Sequence, residues 1–275
     1  MRYFTVKLNE LYPEIGGYEC TLTAYLPDNS PEIEKERRRP AFLILPGGGY
    51  AFVSDREGEP VALRLIGQGY AAFVLKYSTA NDSKAKFPVQ LLQACHAVKY
   101  IKKNAGGFHV DPAKVFAAGF SAGGHLCASL GLLYNSRHVK KAMKDWETAR
   151  VAAIVPCYPV ITSGEYAHRG SFENLTADPK LLPELSLENA VTADAPPAFI
   201  WHTADDKGVP AMNALLLAGA YSKCGAPYEL HIFEKGAHGL SMCDATTAAP
   251  SNPAYINPEV GIWFDLLLKF VKRHL

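Results

Sequence analysis

The stretch KVFAAGFSAGGHLCASLGLLY, residues 114–134, decides the fold. Lys114 to Gly119 reads as a short apolar strand, and Ser121 to Tyr134 as an apolar helix. The join is a Gly-x-Ser-x-Gly string running from Gly119 to Gly123. A strand-to-helix turn this tight leaves no room for side chains beside the serine. It forces that residue into a strained backbone conformation and lifts its hydroxyl clear of the sheet. The helix that follows directs its N-terminus toward negative charge developing nearby. Ser121 is therefore the candidate nucleophile.

Outward from this turn, strands and helices alternate. Ala41 to Leu45 is a continuous apolar run, as expected of a strand buried on both faces. Glu59 to Gln68 reads as a helix, Tyr70 to Tyr77 as a strand and Phe87 to Asn104 as a helix. Beyond the turn come strands at Val151 to Cys157, Ala198 to His202 and Tyr228 to Phe233. Helices are expected at Met212 to Lys223 and Ile262 to Arg273. Such alternation implies βαβ units and a mostly parallel sheet with helices on both faces. Arg2 to Leu8 and Tyr18 to Leu26 alternate apolar and polar residues around Pro13 and Gly16-Gly17, so the first strands are expected to be antiparallel. Residues 159–197 break the rhythm with prolines and polar residues. They read as a lid or a long loop over the carboxyl edge of the sheet, where such folds place ligands. The whole chain, 1–275, is expected to form one domain. The segment Asn29 to Pro40 reads as a solvated connection, with Arg37-Arg38-Arg39 as an exposed turn.

Composition excludes several function classes. Twenty-eight basic and 27 acidic residues leave a formal charge of +1, which argues against a nucleic-acid or anionic-membrane binder. With 48% hydrophobic and 20% charged residues, the chain has the profile of an ordinary globule rather than a disordered segment. No apolar run approaches the ~18 residues of a membrane span. The opening MRYFTVKL lacks the uncharged core of a secretory signal, so a cytoplasmic protein is expected. The six cysteines are scattered without a Cys-x-x-Cys pair and read as free thiols. Neither a His-Glu-x-x-His nor an EF-hand pattern is present, so no metal and no cofactor are expected.

A serine hydroxyl is a weak nucleophile at neutral pH and needs a base. Of nine histidines, His238 follows the strand Tyr228 to Phe233 on a glycine-bracketed loop, KGAHG, where a positioned imidazole is expected. His202 and His231 lie on strands and His125 in the first turn of the helix after Ser121, so these three read as structural. The imidazole needs a carboxylate to fix its tautomer. The segment HTADDKGVP, residues 202–210, offers Asp205 and Asp206. Asp206 fits an Asp-x-x-Val-Pro loop, whereas Asp205 reads as a solvated acid or helix cap. The chain order Ser121, Asp206, His238 is that of the α/β-hydrolases. The segment LPGGGY, residues 45–50, follows the first buried strand. Its glycines let backbone N–H groups point inward, and with the N–H of Ala122 they would form an oxyanion hole. Gly48 and Gly49 are the candidate donors, and Tyr50 and Tyr158 are expected to border the substrate pocket. Tyr166, His168, Arg169 and Phe172 either line that pocket or pack the insertion.

These motifs together resemble the α/β-hydrolase superfamily over essentially the whole chain. PGGGY, GFSAGGHL, HTADDKGVP and EKGAHGL are similar to one bacterial esterase/lipase branch, the acetyl-xylan-esterase-like and feruloyl-esterase-like carbohydrate esterases. The resemblance implies a sheet of about eight strands and Ser121, Asp206 and His238 as the triad. It also implies hydrolysis of short acyl esters, mainly acetyl, on oligosaccharide hydroxyls. Pro46 stands where many hormone-sensitive-lipase relatives carry histidine, which separates the chain from their substrate preferences. An arylformamidase-like amide hydrolase and a non-catalytic ligand binder on the same fold are the competing expectations. The expected partner is a small-molecule ester, and the edge formed by the first two strands is a candidate surface for a homo-oligomer.

Overall fold

The computed structural model describes residues 1–275. Eight strands form one sheet in the order β1-β2-β4-β3-β5-β6-β7-β8. They are β1 (Arg2–Lys7), β2 (Thr21–Leu26), β3 (Arg39–Leu45), β4 (Ala71–Lys76), β5 (Val110–Phe120), β6 (Ile154–Cys157), β7 (Ala198–Thr203) and β8 (Tyr228–Phe233). β2 runs antiparallel to both β1 and β4, and every pairing from β4 through β3 to β8 is parallel. This is the α/β-hydrolase arrangement, with the antiparallel start that the alternating N-terminal residues imply.

Burial follows the strand patterns. β6 and β7 are buried at every position, whereas β1 alternates half-buried and exposed residues along an edge. The continuous apolar runs belong to strands covered on both faces, and the alternating run to a strand covered on one. Five main helices connect or close the sheet: α1 (Glu59–Ile66), α2 (Val89–Lys103), α3 (Ala122–Leu133), α4 (Met212–Cys224) and α5 (Trp263–Arg273). α2, α3 and α4 pack on one face with Leu91, Leu126 and Leu217. α1 and α5 cover the other through Leu65, Trp263, Leu267 and Phe270. The buried positions of α5, at 263, 264, 267, 270 and 271, mark a single helical stripe.

Strand order reverses at β3, whose neighbours are β4 and β5. The loops after β3 and β5 therefore leave the carboxyl edge side by side, with Leu45 in register with Gly119. That crevice is where an open α/β sheet binds its ligand.

One local expectation needs correction. Arg39 is not part of an exposed turn. It begins β3, is only 8% exposed, and its guanidinium donates to the Asn29 side chain and, at 3.2 Å, to the Asp28 carbonyl. Arg37 and Arg38 are exposed. Residues 159–197, expected as a lid or a long loop, contain helical structure. They carry a two-turn helix, Arg169–Leu175, and further single turns. Asn213 of α4 anchors the start of this insertion, its Oδ1 accepting from the N–H groups of Ile161 and Thr162 at 2.8 and 3.1 Å.

Candidate active site

Ser121 caps α3 with φ 55° and ψ −118°, the strained turn expected of its motif. Main-chain bonds hold it from both sides. Its N–H donates to the Cys157 carbonyl and its carbonyl accepts from the Val160 N–H, both at 3.0 Å. The flanking glycines are sterically required. A β-carbon on Gly119 would lie 2.1 Å from the Gly123 carbonyl oxygen, and one on Gly123 would lie 2.0 Å from that of Leu45.

His238 comes from the loop after β8, and its Nε2 lies 2.8 Å from Ser121 Oγ. Its Nδ1 lies 2.7 Å from Asp206 Oδ2. Asp206 Oδ1 accepts from the N–H groups of Gly208 and Val209 at 2.7 and 2.9 Å. The Asp206 side chain is fully buried, while that of His238 is 26% exposed. Burial alone would raise the Asp206 pKa. The His238 hydrogen bond and charge and the Val209 N–H outweigh it, so the carboxyl is held below its usual range. An ionised Asp206 keeps the imidazole proton on Nδ1 and leaves Nε2 free to accept from the serine hydroxyl. Asp205 lies apart from this chain of bonds, with Oδ1 accepting from the Gly236 N–H at 2.7 Å.

The loop after β3 supplies the third component. The N–H groups of Gly48 and Gly49 have no acceptor within the protein, and neither does that of Ala122, the first residue of α3. The loop is fixed through its carbonyls. Gly47 accepts from the Ser54 N–H at 3.0 Å, Gly48 from the Ala51 N–H at 2.9 Å, and Gly49 from Asn174 Nδ2 of the insertion at 3.0 Å. Unpaired main-chain donors on a fixed loop beside a nucleophile are suited to stabilising an oxyanion.

Tyr50 and Tyr158 do not border an open pocket. Tyr50 is 1% exposed and its hydroxyl donates to His125 Nδ1 at 2.8 Å, while His125 Nε2 donates to the Leu185 carbonyl at 2.8 Å. These bonds tie the glycine loop, the turn helix and the insertion together, and burial holds the His125 pKa at about 4. Tyr158 is 2% exposed, and its ring meets the His238 ring edge to face at 5.3 Å between centroids. Both tyrosines lie behind the site because the adjoining layers cover them. Phe172 is likewise buried and packs edge-on against His125, whereas Arg169 is exposed. Tyr166 and His168 are half-buried, and His168 reaches Ser171 Oγ through Nδ1 at 2.8 Å. His202 is fully buried with Nδ1 3.9 Å from Asp206 Oδ2, and burial lowers its pKa to about 4.

Sequence reasoning missed Arg56 and Glu57. Glu57 is 4% exposed; its Oε2 accepts from the Gly47 N–H and its Oε1 from the Tyr158 hydroxyl, both at 2.7 Å. Burial raises its pKa against the opposing pull of Tyr158, Gly47, His238 and Arg56. In sequence, an acid two residues before the start of α1 is indistinguishable from an ordinary helix-start acid.

The BD-FAE family model matches residues 25–221, which takes in Ser121 and Asp206 and stops short of His238. The chain is 35% identical over 239 residues to an endo-1,4-beta-xylanase B of Butyrivibrio fibrisolvens, covering 85% of this chain and 36% of that protein. It is 31% identical over 211 residues to an acetylxylan esterase of Xylanibacter ruminicola, covering 74% of this chain and 41% of that one. The chain thus spans less than half the length of these two curated relatives. Among solved structures, the carboxylesterase Cest-2923 of Lactobacillus plantarum superposes with a TM-score of 0.87 at 30% identity, covering 99% of this chain and 98% of that one. An acetyl ester-xyloside bifunctional hydrolase of Caldicellulosiruptor lactoaceticus gives 0.83 at 34% identity, covering 99% and 96%.

Proposed function

This chain belongs to the BD-FAE family, and from that premise we propose that it is a serine carboxylic ester hydrolase acting on short acyl esters, chiefly acetyl, of sugar hydroxyls. The observation that carries the reading is the unbroken run of hydrogen bonds from Asp206 through His238 to Ser121, 2.7 and 2.8 Å long. Ser121 Oγ attacks the ester carbonyl carbon as its proton passes to His238 Nε2. The N–H groups of Gly48, Gly49 and Ala122 receive the negative oxygen, each such donor contributing about 3–4 kcal/mol to the transition state. Collapse breaks the bond to the alcohol, which leaves with the proton from His238. A water molecule then gives a proton to His238 and attacks the acyl-enzyme, and the proton returns from His238 to Ser121 Oγ as the acyl bond breaks and the acid leaves. Asp206 stays ionised throughout and stabilises the imidazolium.

The acetyl-sugar assignment draws on the relatives named acetylxylan esterase and acetyl ester-xyloside bifunctional hydrolase. The test is hydrolysis of p-nitrophenyl esters from acetyl to octanoyl by the wild type beside Ser121→Ala, followed by acetylated xylo-oligosaccharides. A steep preference for acetyl is expected, with kcat falling on the order of 10⁶-fold in the variant. Activity surviving in Ser121→Ala would refute the nucleophile. A long-chain preference, or faster turnover of N-formylkynurenine than of aryl acetates, would retain the machinery and discard the sugar-ester assignment.

A further inference from the structure

Arg56 and Glu57 are neighbours in a single short turn, Asp55–Glu57, yet their side chains grip opposite sides of the site. Glu57 Oε2 holds the Gly47 N–H, and a β-carbon on Gly47 would lie 2.6 Å from that oxygen and 3.0 Å from Ser121 Cβ. The carboxylate and Ser121 therefore flank the same glycine. Through Oε1 it also holds the hydroxyl of Tyr158, whose ring lies against His238. Arg56 reaches the other way. Its Nη2 donates to the carbonyl of Gly239, the residue after His238, at 2.7 Å, and its Nε to that of Thr247 at 2.6 Å. Ser241 closes the circuit, with Oγ donating to the Arg56 carbonyl at 2.7 Å and N–H donating to the Tyr158 oxygen at 3.0 Å.

Donor and acceptor counting sets the required state of Glu57. The Gly47 N–H and the Tyr158 O–H both need an acceptor, and the Tyr158 oxygen already accepts from Ser241. An ionised carboxylate satisfies every member. A protonated carboxyl or an amide at that position offers one acceptor too few and strands a buried donor, which costs about 1–3 kcal/mol.

We propose that Arg56 and Glu57 form a positioning pair that couples the oxyanion loop to the histidine loop. Glu57 sets the peptide from which the Gly48 and Gly49 donors extend and braces the tyrosine behind the base; Arg56 sets the backbone that carries the base. Neither residue touches substrate. The inference rests on the serine-hydrolase reading and adds the source of its geometry. Misplacement of reacting groups by about 1 Å can cost about 100-fold in rate.

The test compares wild type with Glu57→Gln, Tyr158→Phe and Arg56→Lys, using p-nitrophenyl acetate as substrate. Active sites are counted by a fluorophosphonate probe, and the inhibition constant of a trifluoromethyl ketone that adds to the serine is measured in parallel. For Glu57→Gln, kcat per labelled site should fall about 10–100-fold with KM changed less than about 3-fold. The ketone should weaken in the same proportion as kcat/KM, because both depend on the oxyanion donors. Tyr158→Phe and Arg56→Lys should follow the same line with smaller losses. Adding Tyr158→Phe to Glu57→Gln should cost less than the two separate losses multiplied, since both act through one bond. A residue that merely supports the fold would lower the labelled fraction and the melting temperature while leaving kcat per labelled site intact, and that result would overturn the proposal. If Glu57→Gln does not fold, the other two variants decide by the same measure. A wild type that neither takes the probe nor turns over would instead strike the underlying esterase reading.

Discussion

The Ser121 side and the His238 side of the site are built by different physics. Around Ser121 the main chain does the work: a strained φ, two 3.0 Å backbone bonds, and glycines where an added β-carbon would meet other backbone at about 2 Å. Around His238 the work falls to side chains. The imidazole sits on a loop, remains 26% exposed, and is held by Asp206, the Tyr158 ring and the Arg56 grip on Gly239. Main-chain geometry set by steric exclusion has no intermediate states, whereas a bond between side chains can be exchanged one partner at a time. Changes to the glycine frame on the first side should therefore act on folding, and changes to the side chains on the second on turnover.

The largest effect that separates the two comes from Asp206→Asn. Oδ1 of residue 206 is committed to the N–H groups of Gly208 and Val209, so the new amide must turn its NH₂ toward His238 Nδ1. That fixes the wrong tautomer, with Nε2 protonated and unable to take the serine proton. A loss of about 10⁴ in kcat is expected with an unchanged melting temperature, measured by steady-state assay and calorimetry. Wild-type turnover would break the comparison. Gly119→Ala should do the reverse and destabilise the fold by about 3 kcal/mol, because the added methyl meets a carbonyl oxygen rather than a movable side chain. Urea unfolding measures it, and a variant of native stability but low turnover would count against the distinction.

Protonation probes both sides at once. His125 behind the nucleophile and His202 behind the acid are buried and held near a pKa of about 4. Their folded values lie below the unfolded one, so the stabilisation is intact above about pH 6.5 and is lost as pH falls toward 4. Each contributes a slope of about 1.4 kcal/mol per pH unit within that window. Urea unfolding at pH 7, 6 and 5 should show the decline, and a flat profile would refute it. The smallest effect is reserved for Asp205→Asn, which keeps an oxygen for the Gly236 N–H. Its kcat should stay within about 3-fold of wild type, and a loss approaching that of Asp206→Asn would reverse the assignment of the two acids.

Most of the strand and helix order was legible in the sequence because burial on two faces, on one face, or along a helical stripe each writes its own period. Ser121 was legible because a tight turn imposes glycine on its neighbours locally. Arg39 was misread because its partners, Asn29 and the Asp28 carbonyl, lie across the connection that precedes β3. The helix Arg169–Leu175 escaped because it lies in a segment dominated by prolines and polar residues. The burial of Tyr50 and Tyr158 was not legible because their hydroxyl partners, His125 and Glu57, lie 75 and 101 residues away.

What the sequence determined by itself is the local stereochemistry: an elbow with a strained serine, a glycine loop after β3, and the order in which the acid and the base follow. The turn and the glycine loop depend on residues within a few positions of one another, and the order is read directly along the chain. Only the tertiary structure decided which groups meet. Ser121 and His238 are 117 residues apart, and Glu57 and Tyr158 are 101 apart. Pairings of that span carry no local signature, because a buried carboxylate and an exposed one are the same letter until the sheet brings their partners to them.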